Sequence, residues 1–103
     1  MNIGDFKNFI NDNRIKWTTH GLARMQERDI SIKDVISCIL TGEIIEEYPE
    51  DYPNESALIF GRNDSGHIIH VVCGIDQEAI YIITAYFPTS EKFEKDLKTR
   101  RIK

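Results

Sequence analysis

At 103 residues, 41% hydrophobic and 29% charged, the chain can form one domain, residues 1–103, that buries about two thirds of its unfolded surface; a second has no room. No apolar run approaches the roughly 18 residues of a membrane-spanning helix, and Met1 to Phe9 carries Asn2, Asp5, Lys7 and Asn8 where a secretory leader would be apolar. A cytoplasmic chain without membrane contact is expected, and its net charge of −4 disfavours indiscriminate binding to nucleic acid, which rises with the number of phosphates neutralised.

Asn2 and Asp5 suit the start of a first helix whose apolar side is Phe6, Phe9 and Ile10, with Asn11-Asp12-Asn13 as its breaker. Ile15 to Trp17 should cross over as a short extended piece before Thr18, which caps a second helix. In that helix His20, Arg24 and Arg28 recur every four residues and form one polar ridge, while Leu22, Ala23 and Met25 fall on the other side. One imidazole and two guanidiniums in a row suit an anion: Arg offers a planar fork for phosphate, and His exchanges protons near neutrality. The same ridge also suits a solvated face balanced by Glu27 and Asp29, and spacing does not separate the two readings. Gly21 in the first turn weakens this helix slightly.

Asp29-Ile30 ends the ridge helix, and Ser31 with Asp34 resembles a capping box for a third helix through Ile32, Val35, Ile36, Ile39 and Leu40, stopped by Gly42 at C′. The period then changes to two. Glu43 to Tyr48, Ala57 to Arg62, His67 to Ile75 and Ala79 to Phe87 read as four antiparallel strands joined by Pro49/Pro53, Asn63-Asp64-Ser65-Gly66 and Asp76-Gln77-Glu78. Pro88-Thr89-Ser90 then opens a last helix from Glu91 to about Thr99 that lays Phe93 and Leu97 on the sheet. The expected fold class is α+β: N-terminal helices on a four-stranded antiparallel sheet, closed by a C-terminal helix.

Strict alternation groups Ile68, His70, Val72 and Gly74 on one face of the third strand, and Ile80, Ile82, Thr84 and Tyr86 on one face of the fourth. His70, Thr84 and Tyr86 are expected to look toward one cleft. A histidine among Ile and Val is more often a core residue bonded to backbone, and a tyrosine there serves packing as readily as it offers a hydroxyl at an interface. Charge is segregated along the chain: Glu43 to Glu55 holds six acids and no Lys or Arg, whereas Lys98, Arg100 and Arg101 belong to a basic tail suited to an anionic partner, with the acidic stretch kept apart from it. Cys38 and Cys73 read as reduced core residues. The three histidines lack metal-ligand spacing, so neither a metal nor a cofactor is expected.

His20-x-x-x-Arg24-Met25-x-x-Arg28-x-Ile30, Thr41-Gly42-Glu43-Ile44-Ile45-Glu46, His70-Val71-Val72, Ile83-Thr84-Ala85-Tyr86-x-Pro88 and Lys98-x-Arg100 together resemble a bacterial and archaeal domain-of-unknown-function family of toxin type, over about Lys16 to Arg101. The resemblance implies a zinc-finger antitoxin as partner and a fold related to the barnase, colicin and RelE-like ribonucleases. The function expected is a metal-independent endoribonuclease toxin. RNA supplies the 2′-hydroxyl nucleophile, so the protein needs only proton transfer and cations around the phosphate. His20 would be general base or acid, Arg24 and Arg28 phosphate clamps, and His70, Thr84 and Tyr86 the opposing proton donor and positioning groups. Lys98, Arg100 and Arg101 would hold the RNA backbone. The alternatives are a non-catalytic RNA- or protein-binding module and a regulatory protein whose basic tail meets an acidic partner.

Overall fold

Each helix begins where the sequence supplies a cap. In the computed structural model, which describes residues 1–102, the Asn2 side chain accepts from the Gly4 N–H ahead of α1 (Ile3–Asn11). Thr18 accepts from the Gly21 N–H ahead of α2 (Thr19–Glu27), and Ser31 and Asp34 form a reciprocal capping box for α3 (Ile32–Thr41). Gly42 closes α3 in an extended conformation (φ −99°) rather than as a left-handed C′ residue, because the chain passes straight into the next strand. The strands are β1 (Ile15–Trp17), β2 (Glu43–Tyr48), β3 (Ser56–Arg62), β4 (Ile68–Ile75) and β5 (Ile80–Tyr86).

The fold is α+β, three helices on one sheet of order β1-β5-β4-β3-β2. The sheet has five strands and is mixed, where four antiparallel strands were expected. Ile15 to Trp17, too short to show a period of its own, pairs in parallel with β5, Ile15 opposite Ile80 and Trp17 opposite Ile82. Phe6, Met25, Val35, Cys38 and Ile39 pack from the helices against Ile59, Ile69, Val71, Ile80 and Ile82 of the sheet. Both thiols are free and buried, and burial pushes Cys38 up to about 12.

Strict alternation fails in β5. Val72 lies opposite Thr84 but Cys73 opposite Ile82, so Ile83 is an extra residue, a β-bulge. Beyond it Ala85 joins Ile80 and Ile82 in the core facing the helices, while Tyr86 turns to the other face, opposite His70. Thr84 and Tyr86 therefore do not share a face with Ile80 and Ile82. The helix α2 sits tightly at this bulge, where a Cβ on Gly21 would lie 2.9 Å from the Ile82 carbonyl oxygen. Gly21 is the condition for that approach, which outweighs its small cost to the helix.

Among the described residues, no helix follows β5. Phe93 and Arg100 form an antiparallel bridge, flanked by hydrogen bonds from the Glu94 N–H to Thr99 (2.7 Å) and from the Arg101 N–H to Lys92 (2.9 Å). Phe93 and Leu97 have helical spacing, but the Asp96 carboxylate accepts from the Lys98 and Thr99 N–H groups and ties a local turn instead. Leu97 takes φ +58° in that turn, and its carbonyl faces His70. This hairpin lies on the sheet face away from the helices. Phe93, 1% exposed, anchors it, and burying that ring contributes about 2–3 kcal/mol.

The acidic strand and the basic tail, expected to keep apart, meet across this face. Lys98 pairs with Glu43 (2.9 Å) and Arg100 with Glu46 (2.9 Å). Exposed pairs of this kind contribute about 0–1 kcal/mol each, so Phe93 outweighs either of them in holding the hairpin down.

Candidate anion-binding cleft

Beyond Trp17, β1 no longer accompanies β5, and the Ala85 carbonyl accepts a side chain in place of a strand partner. Arg28, the C-cap of α2, reaches it. Its Nη1 donates to the Ala85 carbonyl (2.9 Å) and to the Thr84 hydroxyl (3.1 Å), which carries the guanidinium from the helix layer to the edge of the opposite face. There it lines an open cleft of about 320 Å³ together with Tyr86, Phe87, Thr89, Lys92 and Arg100. Three cations and no carboxylate line it. Arg100 is held by the Glu46 carboxylate at Nε and Nη2 and stacks on the Phe93 ring at 4.8 Å.

Under the cleft, Tyr86 and His70 form one hydrogen-bonded unit. The Nε2–H of His70 donates to the Leu97 carbonyl (2.7 Å), since a carbonyl can only accept, so Nδ1 is the bare nitrogen and accepts from the Tyr86 hydroxyl (3.3 Å). His70 is fully buried, its ring edge-on to Phe93 at 4.7 Å. Burial holds the imidazole below its ordinary value of 6.5, outweighing the Leu97 bond and the Glu46 charge, which favour the proton; Arg100 acts with burial. Burial likewise raises the Tyr86 phenol, which keeps its proton at neutral pH; Arg100 and Arg28 favour the phenolate and the Glu46 charge opposes it.

This neutral His70 makes stability depend on pH. The folded value lies below the unfolded one, so the contribution is complete above about pH 6.5 and is lost as pH falls through the lowered folded value. Glu46, held below its ordinary 4.5 chiefly by Arg100, is lost at more acid pH. Thermal midpoints taken between about pH 7.5 and 5 should fall on acidification, and less so in His70→Gln. Equal slopes in the two proteins would exclude His70 as the group responsible.

Of the nine residues singled out from the sequence, Arg28, Tyr86 and Arg100 line the cleft, and Thr84 and His70 hold two of them in place. His20 and Arg24 do not line it. His20 is exposed, and Arg24 pairs with Glu27 (2.8 Å), whose carboxyl is held below its usual range chiefly by Arg24, with Arg28 and His20 acting in the same direction. Lys98 and Arg101 also lie outside, Arg101 paired with Glu94 (3.1 Å). Sequence reasoning missed Lys92, Phe87 and Thr89, because a helix was drawn through Lys92 and Phe87 was taken as the end of an ordinary strand. Among the described residues, no three His, Cys, Asp or Glu side chains converge on a common point.

Residues 17–87 match the model of DUF4258, a domain of unknown function. The chain belongs to the DUF4258 family. No curated protein and no solved structure matches it. The DUF4258 match opens in β1 and closes at Phe87, so it includes Arg28, His70, Thr84 and Tyr86. It stops well short of Arg101, leaving α1 and the hairpin that supplies Lys92, Phe93 and Arg100 outside the matched part of this DUF4258 protein.

Proposed function

We propose that the cleft binds a phosphodiester of RNA and promotes attack by the adjacent 2′-hydroxyl, without a metal, and that the protein is a ribonuclease toxin with a RelE/barnase-like fold, held in check in the cytoplasm by a zinc-finger antitoxin. The observation that carries the chemistry is that Arg28, Lys92, Arg100 and Tyr86 line one cleft without a lining carboxylate. Cations aimed at developing charge stabilise the pentacoordinate phosphorane most when it forms. In the step proposed, the 2′-oxygen bonds to phosphorus as its proton passes to water, and the Tyr86 hydroxyl turns from His70 Nδ1 to give its proton to the departing 5′-oxygen. A 2′,3′-cyclic phosphate and a 5′-hydroxyl result. Arg28 and Arg100 favour the phenolate left behind. His70 orients the phenol and is not itself the proton donor. His20 stands eight residues before Arg28, about 12 Å along the helix axis, too far to serve the same phosphodiester. With Arg24 it follows the RNA backbone to adjacent phosphates.

Incubation of the purified protein with end-labelled single-stranded RNA in excess EDTA tests this reading. Cleavage with cyclic phosphate ends is expected, slowed about 10² to 10⁴-fold in Tyr86→Phe. Products with 3′-hydroxyl ends, or full activity of Tyr86→Phe, would overturn the mechanism. Inducible expression should arrest growth unless the neighbouring reading frame is expressed as well. RNA bound but left intact would favour a binding module, a reading to which the fully engaged ring of His70 lends itself.

A further inference from the structure

Phe87 borders two depressions of unlike chemistry. On one side lie the three cations of the cleft. On the other is a depression of about 560 Å³ with Met25 and Ile30 at its base and Gln26, Asp29 and Ser31 among its polar groups. Lys and Arg are missing from that lining. A phosphate would be repelled there, whereas a flat heterocycle with polar edges fits an apolar floor ringed by hydrogen-bonding side chains. Phe87 is 42% exposed, an unusual place for a phenyl ring that a packed core could have used. Tyr52, more exposed still, stands among Glu50, Asp51 and Glu55, where no polyanion would approach. Phe87 is the exposed aromatic that adjoins cations.

We propose that the depression across Phe87 from the cationic cleft is a nucleobase pocket, in which an unpaired base stacks on Phe87 and offers an amino group to Asp29. This rests on the reading of the cleft as a site for RNA phosphate and goes further in naming the substrate: single-stranded RNA with an amino-bearing base beside the bound phosphate. Asp29 follows the C-cap of α2 with φ +57°, which turns the chain out of the helix and places the carboxylate at the rim of the depression. Asp34, its acidic neighbour there, is already engaged by the Ser31 and Asp64 N–H groups. A carboxylate accepts from the N4 amino group of cytosine and opposes the O4 carbonyl that uracil carries at the same position. A paired base has neither a free face nor a free edge, so a duplex is excluded from the pocket.

The test is equilibrium binding of fluorescein-labelled 12-nucleotide oligocytidylate, oligouridylate and a mixed-sequence RNA duplex to the full chain and four variants. The intact protein should prefer the cytidylate to the uridylate by about fivefold or more and bind the duplex least. Phe87→Ala should weaken single-strand binding by about ten- to a hundredfold, and Phe87→Trp should restore it. Asp29→Gly suits the left-handed backbone and should abolish the preference for cytosine, weakening cytidylate binding and strengthening uridylate binding as the repulsion of O4 is removed. Phe87→Ala binding like the intact protein, or a duplex binding as tightly as a single strand, overturns the base pocket; the phosphate site then stands if Arg28→Ala still loses affinity for every RNA. No RNA binding by the intact protein overturns both.

Discussion

Arg28→Ala is expected to slow RNA cleavage by about 10² to 10³-fold, the usual loss when one preorganised donor to a developing oxyanion is removed. The effect on stability should be smaller. Arg28 is exposed, and its two hydrogen bonds, to Thr84 and Ala85, each contribute about 1 kcal/mol. Thr84→Ala separates the two contributions, since it removes one of the bonds that hold the guanidinium and leaves the cation in place. It should slow cleavage by about tenfold or less, with Arg28→Lys falling between, because an ammonium keeps the charge and loses the fork. The cleavage rates of these three variants, set beside their thermal midpoints, decide whether Arg28 acts on phosphate. Thr84→Ala as slow as Arg28→Ala would make Arg28 a strut for β5, and full activity of Arg28→Ala would take it out of the chemistry.

The largest expected loss of stability lies on the other face of the sheet, at Gly61. A Cβ there would lie 2.1 Å from the carbonyl oxygen of Cys38 and 2.8 Å from its carbonyl carbon, both of them backbone atoms of α3. No side-chain rotation relieves such a clash, so α3 must lift from β3 and open the layer that contains Val35, Cys38, Ile39 and Ile59. Gly61→Ala should therefore cost about 3 kcal/mol or more, at or beyond the upper end for overpacked cores, where neighbouring side chains can usually shift. Against the roughly 5–15 kcal/mol that stabilises a domain of this size, that is a large share. Gly74→Ala is the control. Its nearest neighbour would be 3.7 Å away, an ordinary contact, so its stability should be close to that of the intact protein. Chemical denaturation of both variants measures the difference; equal midpoints would show that α3 and β3 are not held this closely.

Helix starts were legible because capping is local: Thr18 to the Gly21 N–H and Ser31 to the Asp34 N–H lie within one turn of chain. The ridge spacing of His20, Arg24 and Arg28 was legible for the same reason, but the fate of its members was not. Arg24 found Glu27 three residues on, a pair that spacing allowed for, whereas Arg28 found Thr84 and Ala85 more than fifty residues away. The pairing of His70 with Tyr86 on one face depended on the bulge at Ile83, an extra residue that leaves no mark in a sequence so rich in isoleucine.

The amino-acid sequence by itself determined the helix caps, the turns, the positions of the strands and the family, since these depend on neighbours along the chain or on residue patterns within residues 17–87. Only the tertiary structure decided the parallel place of β1, the hairpin in place of a last helix, and the pairing of Lys98 and Arg100 with Glu43 and Glu46. The same holds for the cleft. A strand of three residues has too few positions to declare its partner, and a segment with helical spacing between Phe93 and Leu97 yields to the burial of its own Phe93 ring against His70 and to the His70 N–H that reaches the Leu97 carbonyl from β4. Cations read as a free tail are drawn onto the acidic strand because folding brings opposite charges together that the chain keeps fifty residues apart.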